Sequence, residues 1–155
     1  MSGLVRPDEE PFREAPVPVV EALKGQLPTI QQWQAISSPL ESCVVMAGAG
    51  SGKTAVIAAR VVYLVLVRQG LVKANHAGAL PSEILCLTFT NKAAEELSRR
   101  VRAATEGLGL PEGEEPTVLT YHAFAAGLVE DYGLRMGVEP GRMLLSDAHK
   151  WQLAA

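Results

Sequence analysis

Eight consecutive residues, Ala47-Gly48-Ala49-Gly50-Ser51-Gly52-Lys53-Thr54, alternate small residues and glycines before a lysine and a hydroxyl. That spacing suits phosphate. Gly48, Gly50 and Gly52 let the backbone curl so that successive N–H groups face one concavity at a helix N-terminus, where an anion is favoured. The Lys53 ammonium would reach the β- and γ-phosphates of a nucleotide, and the Thr54 hydroxyl would complete the coordination of Mg²⁺, a hard ion that prefers oxygen. Ala47 stands where the pattern usually opens with glycine, a position that needs only a small side chain. The competing reading is a glycine turn that happens to precede Lys-Thr, a coincidence that average composition makes rare.

Three further groups could do chemistry. Upstream, Pro28-Thr29-Ile30-Gln31-Gln32-Trp33-Gln34-Ala35-Ile36 offers three glutamines. A glutamine amide donates and accepts at the adenine N6/N7 edge, which would select ATP over GTP. The alternative is a solvated helix with Trp33 and Ile36 packed inward. Downstream, Thr88-Phe89-Thr90-Asn91-Lys92-Ala93-Ala94 places an aromatic that could stack on an unpaired base beside Thr90, Asn91 and Lys92, which could hold phosphate oxygens. Read structurally, Thr90 or Asn91 caps a helix and Phe89 joins the core. Tyr121 and His122 repeat the arrangement later in the chain, with Tyr121 also at core spacing.

The elements that would position these residues follow from hydrophobic periodicity. Cys43-Val44-Val45-Met46-Ala47 reads as a strand before the glycine loop, and Lys53 to Gln69 as a long helix stopped by Gly70. Ile84 to Phe89 reads as a second strand, unbroken in its apolarity as parallel strands buried on both faces are. Ala93, Ala94, Leu97, Val101 and Ala104 fall at helical spacing, with Glu95/Arg99 and Glu96/Arg100 as i,i+4 pairs on the other face. Thr117-Val118-Leu119-Thr120 is a brief third strand, and Tyr121 to Tyr132 a helix ended by Gly133. The β-α-β-α-β-α alternation predicts a parallel sheet flanked by helices. Residues 1 to about 27, rich in proline, read as a mobile arm with at most one short helix around Val19 to Leu23.

These groups occur in the order seen in one family. The chain resembles the N-terminal part of the ATP-binding domain of UvrD/Rep-type superfamily-one DNA helicases, on Gln32-Trp33-Gln34-Ala35-Ile36, Ala47 to Thr54, Thr88 to Ala94 and Thr120-Tyr121-His122. Pro39-Leu40-Glu41 and Ala58-Ala59-Arg60-Val61-Val62 look closer to the RecB-like AdnB branch. The sequence departs from many members at Ala55, where they carry arginine. The resemblance implies a P-loop NTPase, RecA-like parallel sheet, incomplete here. It implies that Gln32 recognises adenine, that Ala47 to Thr54 hold ATP and Mg²⁺, and that Phe89, Thr90, Asn91, Lys92, Tyr121 and His122 contact single-stranded DNA. The activity implied is ATP-driven 3′-to-5′ translocation in DNA repair or recombination. Residues 28–137 would belong to the ATP-binding domain, and residues 138–155 would begin an accessory helical subdomain.

Hydrolysis in that family needs an Asp-Glu pair after a further strand, and the sequence holds only Asp8-Glu9, inside the proline-containing arm. Met143 to Asp147 mimics the pattern but continues with Ala148, so Ser146 or Asp147 reads better as the cap of a helix. The expectation is therefore a fragment that turns over ATP negligibly by itself. Its partners would be single-stranded DNA, the remaining helicase domains of the same polypeptide, and a second helicase-nuclease subunit. The alternative is a stand-alone nucleotide-dependent DNA-binding module without turnover. A small-molecule kinase has no support in the glutamine and Thr88 to Ala94 motifs.

Composition sets the outer bounds. The 155 residues are 48% hydrophobic and 20% charged, with a formal net charge of −3. A wholesale basic surface for nucleic acid is excluded, though a local basic site is not. Arg99, Arg100 and Arg102 tempt a DNA reading, but the neighbouring glutamates make a solvated face the better account. Cys43 and Cys86 sit in apolar runs and read as buried, reduced thiols of a cytoplasmic protein. The three histidines and two cysteines are too dispersed for zinc. No export signal is evident, and Val61 to Val67 is far shorter than the ~20 apolar residues of a membrane span.

Overall fold

The computed structural model describes residues 15–110 and 113–138. The expectations for Asp8-Glu9, Asp147 and the terminal helix lie outside the described residues. Among the described residues, five α-helices and two strands follow in the order α1 (Val17–Ala22), α2 (Ile30–Ile36), α3 (Lys53–Arg68), β1 (Leu85–Thr88), α4 (Asn91–Thr105), β2 (Thr117–Thr120) and α5 (Tyr121–Tyr132). The chain divides into two compact units between Thr120 and Tyr121.

The first unit is organised around α3. This helix contains no glycine or proline, and every residue from Val61 to Val67 is buried. A helix that is apolar all round must be covered all round. On one side Ala59, Val62, Tyr63 and Leu66 pack with Val19 of α1 and Ile36 of α2. On the other, Ala58 and Val61 pack with Cys86 of β1 and Leu97 and Val101 of α4. Each fully buried side chain of this size contributes about 1.5–3 kcal/mol of transfer free energy. The proline-containing stretch read as an arm thus supplies Val19, which is 0% exposed, to the centre of this core. Gly78, at φ +67°, lies so close to α3 that a Cβ would collide with the backbone of Leu64 and Arg68.

Beside α3 sits one βαβ unit. β1 and β2 pair in parallel, Leu85 opposite Thr117 through Thr88 opposite Thr120. The crossover α4 begins at Thr90, whose side chain accepts the Ala93 N–H at 3.2 Å. Its buried stripe is Leu97, Val101, Ala104 and Thr105. The charged face differs from the expected pairing. Glu96 takes both Arg99, at 2.7 Å, and Arg100, at 2.6 Å, so the partner of Arg99 is Glu96 rather than Glu95. Residues three apart on a helix are neighbours just as residues four apart are, and one carboxylate has two oxygens to share. Arg102 reaches Glu115 at 3.0 Å.

The expected first strand does not form. Cys43 to Ala47 carries no ladder and is exposed throughout, Val44 at 90% and Met46 at 93%. Strand geometry is held by hydrogen bonds from a neighbour, and the only ladder among the described residues joins β1 to β2. Cys43, expected to be buried, is correspondingly exposed, whereas Cys86 is buried. Three alternating strands were expected; the structure gives a mixed α/β arrangement with a two-stranded parallel sheet.

The second unit contains α5, which continues into a 3₁₀ turn over Gly133–Met136. Gly137, at φ +71°, closes that turn, and the Val138 N–H donates to the Gly133 carbonyl at 2.8 Å. The Arg135 guanidinium lies 5.7 Å from the centre of the Tyr132 ring. No described helix is long and apolar enough to cross a membrane.

Candidate nucleotide site

The glycine loop ends on the N-terminus of α3. Gly50 and Gly52 adopt φ of +78° and +82°, left-handed values that a side chain resists. Gly52 is the N-cap, and no side chain caps it. The first backbone bond of the helix runs from the Val56 N–H to the Gly52 carbonyl at 3.0 Å. The preceding N–H groups of the first turn have no intrahelical partner and carry the positive end of the helix dipole.

Within the loop, donors gather on Gly48. Its carbonyl accepts from the Lys53 ammonium at 2.6 Å and from the Ser51 hydroxyl at 2.9 Å, and the ammonium also donates to the Ala47 carbonyl at 3.2 Å. A phosphate oxygen is a stronger acceptor for an ammonium than a neutral carbonyl is. Thr54 is half-buried in the first turn of α3. The chain here offers Mg²⁺ one hydroxyl, and among the described residues no cluster of three His, Cys, Asp or Glu could hold a metal ion. That donor set fits magnesium carried on phosphate oxygens and steadied by Thr54, and does not fit an all-protein cage.

Gln32 is bonded directly to the loop. Its Nε2 donates to the Ser51 carbonyl at 3.0 Å, while its Oε1 accepts the Thr29 N–H at 3.0 Å. Thr29 Oγ1 accepts the Gln32 N–H at 3.2 Å, closing a reciprocal capping box at the start of α2. The far end of α2 is fixed by Arg60 of α3, whose guanidinium donates to the carbonyls of Ile36 and Ser38, each at 2.8 Å, and of Pro39 at 3.0 Å. The Ile36 carbonyl is one that a helix terminus leaves unpaired, and those of Ser38 and Pro39 belong to the segment just past it. Trp33 meets the Tyr63 ring edge-on at 5.6 Å, adding an aromatic contact between α2 and α3.

The structure therefore brings Gln32 together with Ala47, Gly48, Ser51, Gly52 and Lys53. Phe89, Thr90, Asn91 and Lys92 lie at the carboxyl end of β1 and the start of α4, all exposed, Phe89 at 81%. Phe89 thus does not join the core, and Thr90 caps α4 as its structural reading proposed. Tyr121 and His122 open α5 in the second unit and are exposed. Sequence reading overlooked Arg60, which anchors the far end of α2, and Thr29, which caps its start. Thr29 was visible as the first residue of a Thr-x-x-Gln capping pattern, whereas Arg60 carried no signal beyond a charge next to an apolar run.

Fold and site together define an α/β domain in which a glycine loop caps a central buried helix beside a parallel βαβ unit. The chain belongs to the UvrD/REP helicase N-terminal domain family, whose model matches residues 29–154. It is similar to the ATP-dependent DNA helicase srs2 of Schizosaccharomyces pombe, 34% identical over 122 residues, covering 79% of this chain and 12% of that protein. It is similar to the ATP-dependent DNA helicase PcrA of Staphylococcus epidermidis, 33% identical over 112 residues, covering 70% of this chain and 13% of that protein. It also matches an ATP-dependent helicase/nuclease subunit of Heliobacterium modesticaldum, 33% identical over 124 residues, covering 72% of this chain and 8% of that protein. The chain thus spans about an eighth or less of the length of these relatives.

Proposed function

We propose that this chain is the ATP-binding and single-stranded-DNA-contacting segment of a 3′-to-5′ DNA helicase or translocase with a P-loop, RecA-like motor, acting in DNA repair or recombination. The observation that carries the reading is the convergence of Lys53, the Gly50 and Gly52 turns, the uncapped N-terminus of α3 and the Gln32 amide on one loop. The loop N–H groups and Lys53 hold the phosphates, and Thr54 adds its hydroxyl to Mg²⁺. Magnesium, when bound, screens phosphate charge. Gln32 flanks the loop, where the second N–H and second lone pair of its amide are left for the adenine edge while its bonds to Ser51 and Thr29 hold. Phe89 to Lys92 in the first unit offer an aromatic face and polar groups to an unpaired strand, and Tyr121 and His122 in the second unit offer their own.

With no Asp-Glu pair other than Asp8-Glu9 in its sequence to orient water, the 155-residue chain binds nucleotide and does not turn it over. Residues 28–137 belong to the ATP-binding domain. The other motor domains of the polypeptide, and a helicase-nuclease partner subunit, complete the machine.

The test is titration of the chain with Mg-ATP, alongside turnover with and without single-stranded DNA. Lys53→Ala is expected to weaken binding roughly 10- to 100-fold, the cost of one charge-assisted contact to phosphate, with no turnover in either protein. Binding unaffected by Lys53→Ala overturns the site. DNA-stimulated turnover lost in the variant overturns the hydrolysis-deficient reading and leaves the site standing.

A further inference from the structure

The Gln32 side chain is committed at both ends. Its oxygen accepts the Thr29 N–H and its nitrogen donates to the Ser51 carbonyl, so one acceptor position and one donor are engaged with the protein, and the second lone pair and second N–H remain for a base. The Ser51 bond has a geometric consequence. Across a trans peptide the C=O of one residue and the N–H of the next point in opposite directions, so holding the Ser51 carbonyl toward α2 sets the direction of the Gly52 N–H. That N–H opens the N-terminus of α3. Gly52 at φ +82° has no side chain to resist rotation of this peptide, and a Cβ there would stand 3.1 Å from Gln32 Nε2. The same glycine that frees the peptide therefore leaves room for the amide that restrains it.

The support for this amide is rigid. α2 is clamped to α3 at its far end by the Arg60 guanidinium and along its length by Trp33 against Tyr63. Gln32 thus reaches the loop from a helix fixed to the very element whose N-terminus the loop caps.

We propose that Gln32 is a positioning residue for the phosphate loop, holding the Ser51–Gly52 peptide so that the Gly52 N–H is aimed before any ligand arrives. This rests on the nucleotide reading above and adds to it a role that is independent of the base. Pre-orienting one donor removes the cost of ordering it on binding. The role is felt by the phosphates alone, so a ligand with no base reports it.

The experiment compares Mg-tripolyphosphate with Mg-ATP on the 155-residue chain by calorimetric titration. Gln32→Met keeps length and helix propensity and removes both polar ends; Gln32→Ala is the second variant, and circular dichroism checks that both retain the helices. The expected result is a loss of about five- to tenfold in affinity for tripolyphosphate, with ATP weakened at least as much. Thr29→Ala removes the other half of the capping box and leaves the Ser51 bond. It is expected to lower the melting temperature while keeping tripolyphosphate affinity within about twofold. Unchanged tripolyphosphate affinity in both Gln32 variants, with ATP alone weakened, would leave a base-reading role only and overturn the proposal. An equal loss in Thr29→Ala also overturns it, since the effect would then be general to α2. If the unsubstituted chain binds neither ligand, the nucleotide reading itself fails.

Discussion

Two apolar runs of this chain, Cys43 to Ala47 and Ile84 to Phe89, are alike in sequence and opposite in fate. Each precedes a turn that opens a helix, and each carries a cysteine beside aliphatic residues. The second becomes β1, paired with β2 and packed through Cys86 against Leu97 and Val101. The first pairs with nothing among the described residues and exposes Val44 and Met46 almost completely. An apolar run is therefore permission to form a strand. The strand itself needs a neighbour to complete its hydrogen bonds and a helix to cover its face.

Stability should separate the two runs most sharply. Leu97→Ala, beneath β1, is expected to cost about 3 kcal/mol in chemical denaturation. Met46→Ser should stay within about 0.5 kcal/mol. Equal costs would show that the first run is packed in solution and would erase the contrast. Thiol chemistry probes the same difference through the cysteines. Burial pushes the Cys86 thiol above its usual range, while Cys43 stands exposed. A maleimide reagent at neutral pH should therefore modify Cys43 at least about tenfold faster than Cys86, a gap that closes when the chain is unfolded.

A smaller effect comes from the anchor between α2 and α3. Arg60→Met keeps the aliphatic stem and removes the donors to Ile36, Ser38 and Pro39. The expected loss is about 1 kcal/mol, because water can reach part of this cluster. A loss of several kcal/mol would make the anchor a core feature of the loop region. The smallest effect belongs to the packed side. Hydrogen bonds from Arg99 and Arg100 hold the Glu96 carboxyl below its usual range. A folded value below the unfolded one contributes stability above about pH 4.3, lost as pH falls through the folded value. Glu96→Gln should therefore sit slightly below the parent at pH 7 and converge with it in acid, the difference shrinking with added salt.

Much of the arrangement was legible beforehand because it depends on neighbours in sequence. The extent of α3, the glycine stop at Gly70 and the β2 strand followed from periodicity and breakers, and Thr90 was readable as a cap. The misplaced features all depend on distant partners or on a choice between near ones. Val19 looked like part of an arm until α3 covered it, and Arg99 had two glutamates within reach. Arg60 looked like the edge of a greasy stretch until its guanidinium met α2.

By itself the sequence determined the loop: glycine spacing, the lysine and the hydroxyl that follow it, and the helix that must start there, all set by local backbone freedom. Tertiary structure alone decided that the Gln32 amide would grip the Ser51 carbonyl and that β1 would pair while Cys43 to Ala47 would not. The physical reason is common to both. Hydrogen bonds between residues far apart in sequence are fixed by where packing places their partners, and no pattern of residue types along one segment specifies that placement.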